Sequence, residues 1–167
     1  LIQAKKHTYT VKALLGGHAK LSQQFQSGMS STIYLAPTDY HRVHMPLDGT
    51  LKHMIHIPGS LYSVNTQQAE NCPGLFAKNE RLVCVFDTEH GPMAVVMVGA
   101  LLVASIETVW HGLIRPVGFG KIHTTHYTAN QAPTLKQGDL MGWFHFGSTV
   151  ICLLSASTQP LIKKTLP

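Results

Sequence analysis

The sequence predicts a mainly β (α+β) fold, a single domain of short strands in a barrel- or sandwich-like arrangement with a few short peripheral helices. Three features carry that expectation. Apolar runs of five to seven residues, rich in β-branched and aromatic side chains, recur along most of the chain. Glycine- and proline-containing turn signals separate them. Charged residues make up only 13% of the chain against 44% hydrophobic, which excludes a disordered segment and a coiled coil.

The elements follow in order. Tyr9 to Leu15 and Ala19 to Phe25 have a helical pattern, broken by Gly16-Gly17. After Gly28 the texture changes to strands: Thr32 to Ala36, Leu51 to Ile57, Arg81 to Phe86, Met93 to Val98, Leu101 to Ile106, Ile122 to Tyr127, Leu140 to Phe146 and Thr149 to Leu154. Asp48-Gly49, Pro58-Gly59, Cys72-Pro73-Gly74, His90-Gly91-Pro92, Arg115-Pro116 and Gln137-Gly138 mark the turns between them. Phe76 to Glu80 reads as one helical turn. With 167 residues, no repeat and no linker, the chain fits one domain with a sizeable core.

A net charge of +5, from 13 Lys+Arg against 8 Asp+Glu, favours an anionic partner. No basic run exceeds two residues and no aromatic–basic stripe occurs, so nucleic acid is not expected. Cys72, Cys84 and Cys152 are odd in number and widely spaced, which reads as reduced core thiols. The longest apolar stretch, Met93 to Ala104, is 12 residues against the roughly 20 of a membrane-spanning helix. The chain begins abruptly at Leu1, and an N-terminal portion is expected to precede it.

Eleven histidines outnumber the eight acids and form three HxxH pairs: His41/His44, His53/His56 and His123/His126. On a strand, residues three apart lie on opposite faces, so joint chelation within the last two pairs is disfavoured and no metal site is expected. His41 and His44 lie between Pro37-Thr38-Asp39 and Pro46, which suggests a constrained loop where functional side chains concentrate.

Gly147-Ser148-Thr149 interrupts two hydrophobic runs. It fits a tight hairpin or a bulge. It also fits backbone self-cleavage. Gly147 leaves its carbonyl unshielded and tolerates unusual backbone angles. Ser148 Oγ could attack that carbonyl if a base took its proton and donors held the oxyanion. β-Elimination from the ester and hydrolysis of dehydroalanine would then release ammonia and leave an N-terminal pyruvoyl group.

Five strings occur in one order: Tyr40-His41-Arg42-Val43-His44-Met45-Pro46, Phe76-Ala77-Lys78-Asn79-Glu80-Arg81, Phe86-Asp87-Thr88-Glu89-His90-Gly91-Pro92-Met93, Ser105-Ile106-Glu107-Thr108-Val109-Trp110 and Phe146-Gly147-Ser148-Thr149-Val150. Together they resemble the bacterial-type phosphatidylserine decarboxylases, over nearly the whole chain from Leu1 to about Leu154. The family's cleavage motif most often reads Leu-Gly-Ser-Thr, and Phe146 replaces the Leu here.

The resemblance implies a pyruvoyl-dependent carboxy-lyase of phospholipid biosynthesis that makes phosphatidylethanolamine and CO₂ from phosphatidylserine. Residues 1–167 would form the catalytic domain, cut between Gly147 and Ser148. Residues 1–147 would belong to the β subunit and 148–167 would open the α subunit, the two staying associated. Ser148 becomes the pyruvoyl group, which serves as the electron sink for loss of CO₂. His44 matches the histidine of the family's Asp-His-Ser processing triad, and His41 matches the histidine assigned to decarboxylation, where it could protonate the carbanion. The triad Asp is expected upstream of Leu1, and Asp48 is not its counterpart. Glu107 and Trp110 read as structural support in the lipoyl-like half of the family's hybrid fold. Glu80-Arg81 reads as either a local ion pair or a headgroup contact. The expected location is peripheral, on an anionic membrane surface at the cytoplasmic face of a bacterial inner membrane, and a homodimer is compatible with this reading. The alternatives are a decarboxylase of a soluble amino acid and a non-catalytic, truncated β module that binds lipid.

Overall fold

The computed structural model describes residues 2–4, 7–100, 105–114, 120–145 and 147–158. A short hairpin, β1 (Ile2–Ala4) and β2 (His7–Tyr9), precedes two short helices, α1 (Val11–Leu14) and α2 (Ala19–Gln23). Then come β3 (Met29–Leu35), β4 (Arg42–His44) and β5 (Gly49–Ile57), followed by α3 (Thr66–Asn71) and α4 (Leu75–Lys78). The remaining strands are β6 (Arg81–Thr88), β7 (Gly91–Val98), β8 (Ile106–Thr108), β9 (Gly112–Leu113), β10 (His123–His126), β11 (Thr134–Leu135), β12 (Leu140–Phe144) and β13 (Ser148–Leu154).

Two antiparallel sheets dominate. The larger runs β10-β5-β6-β7-β13-β3, with β11 also paired to β5, and the smaller runs β4-β12-β8-β9. Neither closes on itself, so of the two expected arrangements the sandwich is the one formed.

The large sheet is covered on both faces, and the sequence shows why its strands carry continuous apolar runs rather than alternation. Val83, Val85, Ala94, Val96, Val98, Ile151 and Leu153 point to one face, where they meet Leu14, Leu15, Phe25, Leu75 and Phe76 of the helical layer. Leu82, Cys84, Phe86, Met93, Val95, Met97 and Val150 point to the other, against Val43, Ile106, Met141 and Phe144 of the small sheet. Cys84 is fully buried, and that burial pushes its thiol pKa far up, as expected of a core residue. Cys72, Cys84 and Cys152 are all free.

Several boundaries differ from the sequence reading. Arg42–His44 is a strand rather than a loop, because its backbone pairs with β12. The helix Thr66–Asn71 lacks an apolar stripe strong enough to announce it, yet the Asn65 side chain caps it by accepting from Gln68 N at 2.8 Å. The strand expected over Leu101 to Ile106 lies mostly outside the described residues.

Arg81 is neither a partner of Glu80 nor a surface contact. It is 3% exposed, and its Nε and Nη2 donate to the carbonyls of Leu14 and Ala13 at the end of α1, at 2.7 and 2.9 Å. Its Nη1 donates to Asn79 O at 2.8 Å. Burial pulls its pKa down to about 10, which leaves it charged at neutral pH and bonded to the negative end of a helix. Glu80 instead pairs with buried His56 at 2.9 Å. Arg81→Ala removes three hydrogen bonds and takes from the Leu14 and Asn79 carbonyls the partner they have in the structure, which is expected to cost about 3 kcal/mol in urea unfolding. Arg81→Lys should recover part of that loss, since a lysine reaches fewer of the acceptors.

Candidate active site at the corner between two sheets

The chain passes between the sheets at two adjacent corners. Residues 36–41 carry it from β3 in the large sheet to β4 in the small one, and it returns between Phe144, the end of β12, and Ser148, the start of β13. The Asp39 carboxylate closes the first corner by accepting from Ala36 N at 2.7 Å. The corners are stitched together where Ser148 pairs with Leu35 and where Phe144 N donates to His41 O at 3.0 Å.

Ser148 opens β13 and is fully buried. Side chains alternate along a strand, so Ser148 shares the inter-sheet face with Val150, and Thr149 points to the helical layer. Neither the Ser148 nor the Thr149 hydroxyl has a hydrogen-bond partner among the described residues. An unpaired buried hydroxyl costs about 1–3 kcal/mol, and two in succession mark a place where stability is not what the residues were chosen for.

Gly147 contributes through the space it leaves. A Cβ there would sit 3.3 Å from Pro37 Cγ and 3.4 Å from Leu35 O. A side chain there would be tight and would need Pro37 to yield by a few tenths of an ångström, so glycine suits the close approach of the two corners.

The two candidate histidines occupy different settings. His41 donates from Nε2 to Pro37 O at 3.1 Å, which leaves Nδ1 as the lone-pair nitrogen of the neutral ring. That Nδ1 is buried and has no partner among the described residues. Pro37 therefore lies between the His41 imidazole and Gly147. His44 is exposed, on a strand whose central residue Val43 packs inward. Its Nδ1 donates to Gly138 O at 2.8 Å, and its Nε2 accepts from Tyr40 Oη at 2.9 Å, with the two rings stacked. The Gly138 carbonyl fixes the tautomer with a basic Nε2, the role an acid would play in a triad. The structure thus brings His41, Pro37, Gly147 and Ser148 to one corner, and holds His44 on the same segment with both nitrogens occupied.

No carboxylate hydrogen-bonds to either histidine among the described residues. Asp48 is engaged elsewhere, accepting from Lys136 Nζ at 2.8 Å and from Gln137 N at 2.7 Å. The lysine holds its carboxyl below the usual range.

One contact was not foreseen. His145 Nε2 meets Glu107 Oε1 at 2.5 Å, tying the segment two residues before Gly147 to β8. Glu107 lies directly opposite Trp143 in the small sheet, an antiparallel register no local pattern reveals. Trp110 packs edge-on against Phe86 with ring centroids 6.0 Å apart, in keeping with a structural role.

The phosphatidylserine decarboxylase family model matches residues 1–166. Among curated proteins, the chain is 57% identical over 157 residues to a phosphatidylserine decarboxylase proenzyme of Vibrio cholerae serotype O1, covering 93% of this chain and 55% of that protein. It is 54% identical to the protein of that name from Delftia acidovorans, over 94% of this chain and 55% of the relative. A third, from Variovorax paradoxus, is 53% identical over 92% of this chain and 54% of the relative. The chain spans about half the length of these curated relatives. On the ordered motifs, the buried Gly147-Ser148 corner and these matches, the chain belongs to the phosphatidylserine decarboxylase family.

Proposed function

We propose that this chain is the catalytic part of a pyruvoyl-dependent phosphatidylserine decarboxylase that cuts itself between Gly147 and Ser148. The observation that carries the reading is the buried Ser148 hydroxyl, without a hydrogen-bond partner among the described residues and adjacent to the carbonyl of a glycine close against Pro37.

The cleavage chemistry balances on residues of this chain. Ser148 Oγ gives up its proton and attacks the Gly147 carbonyl carbon. The Gly147–Ser148 C–N bond then breaks, and the freed amine takes a proton, leaving an ester. Loss of the Ser148 Cα proton expels Gly147 as a carboxylate and leaves dehydroalanine, which water converts to a ketone with release of ammonia. His44 is the proposed proton acceptor for the attack, through an Nε2 that must release Tyr40. His41 is the proposed proton donor after decarboxylation, through the Nδ1 that the corner leaves free. The pyruvoyl group so formed supplies a carbonyl that accepts the electrons released with CO₂.

Cleavage would not dismantle the fold. β13 lies between β7 and β3, and its backbone ladders with both from Thr149 to Leu154. The new C-terminal piece stays clamped in the large sheet.

Phosphatidylserine is the proposed substrate, by likeness to the matched relatives. An anionic membrane surface is the proposed partner, supported by the net charge of +5. No helix among the described residues is long and apolar enough to cross a membrane. Peripheral attachment at the cytoplasmic face of a bacterial inner membrane follows as part of the same proposal. The test is CO₂ release by the full-length protein from carboxyl-labelled phosphatidylserine in vesicles. Turnover there and none on free serine or aspartate is expected; equal or greater turnover on the free amino acids would reverse the substrate assignment.

A further inference from the structure

The two strand-borne HxxH motifs meet each other. β10 pairs antiparallel with β5, so His126 lies opposite His53 and His123 opposite His56. Residues within each motif point to opposite faces, but partners across the ladder share one. Their fates differ. His56 is buried against Glu80. His53 and His126 instead bring their Nδ1 atoms to 3.0 Å, with rings nearly perpendicular at 83°.

We propose that His53 and His126 form a binding site for a borderline divalent transition metal ion such as Zn²⁺ or Cu²⁺, with His18 as the third imidazole. The geometry supports it. Two nitrogens each about 2.05 Å from one ion and 3.0 Å apart subtend about 94° at the metal, within the range of imidazole sites. Both histidines line a cavity of about 550 Å³ on the large sheet, floored by Ile55 and Thr124. His18 lines the same cavity at the start of α2, where its side chain makes no capping bond. No three metal-binding side chains are already converged among the described residues. His18 must therefore swing inward, and solvent fills the remaining positions. Among the described residues the cavity wall carries no carboxylate or thiolate and one cation, Lys20, which selects an imidazole-preferring ion over Mg²⁺ or Ca²⁺.

The test uses tag-free, metal-stripped full-length protein titrated with Zn²⁺ by calorimetry, and with Cu²⁺ followed by electron paramagnetic resonance. One Zn²⁺ per chain and nitrogen hyperfine structure from imidazole are expected. His126 is exposed, so His126→Ala leaves the fold intact; it and His53→Ala should each lose the binding, while His18→Ala should weaken it. His123→Ala, on the same strand but opposite His56, should bind as the wild type does. Absence of saturable binding, or binding unchanged in both His53→Ala and His126→Ala, overturns the site. Loss of binding in a His41→Ala/His44→Ala variant would place the ion at the sheet corner and overturn it equally.

Discussion

Ser148→Ala in the full-length protein is expected to remain one uncut chain, to release no CO₂ from phosphatidylserine, and to be more stable than the uncut wild-type chain. The first two effects follow from removing the Oγ that attacks the Gly147 carbonyl and departs with Gly147 as part of its new carboxylate; without it neither dehydroalanine nor the pyruvoyl group can form. The third separates loss of chemistry from loss of fold. The wild-type hydroxyl is fully buried without a partner among the described residues. Deleting it relieves an unmet polar group and should raise stability by about 1 kcal/mol. Denaturant unfolding compared with another uncleaved chain, such as His44→Ala, measures it. A Ser148→Ala protein that still decarboxylates phosphatidylserine contradicts the whole reading.

The second large effect separates the two histidines of the β3–β4 corner. His44→Ala removes the proposed base for Oγ attack, a contribution typically worth about 10²–10⁴ in rate, so uncut precursor should accumulate. His41→Ala should still cut, because its proposed task comes later, and should then turn over slowly. A gel follows cleavage and labelled CO₂ follows turnover in each variant. Their settings make the comparison sharp. His41 already has a buried Nδ1 with no partner among the described residues, whereas His44 must first break its 2.9 Å contact with Tyr40. If His41→Ala alone blocks cleavage, the two assignments are exchanged. If both variants cut normally and lose activity equally, no division of labour exists.

Much of this was legible in the chain and some was not, for identifiable reasons. β6 and β7 announced themselves because burial on both faces demands unbroken apolar runs such as Leu82 to Phe86 and Met93 to Val98. β4 did not, because a three-residue strand with one inward side chain, Val43, carries too little period to read. Gly147-Ser148 stood out by order of motifs, but its position at a passage between sheets depends on which strands pair. The Arg81 anchor was hidden because its acceptors, Ala13 and Leu14, lie almost 70 residues away in sequence. The meeting of His53 with His126 required a register between strands 73 residues apart. Local pattern gave faces and turns; only tertiary pairing gave partners.

The most direct test is an intact-mass measurement on the purified full-length protein. Two chains are expected, the break lying between Gly147 and Ser148. Their summed mass should exceed the uncut chain by the difference between water and ammonia, and the C-terminal piece should lack a free amine and be trapped by an added amine with cyanoborohydride. A single uncut chain that nonetheless decarboxylates phosphatidylserine, or a cut that leaves serine at the new N-terminus, would contradict the account.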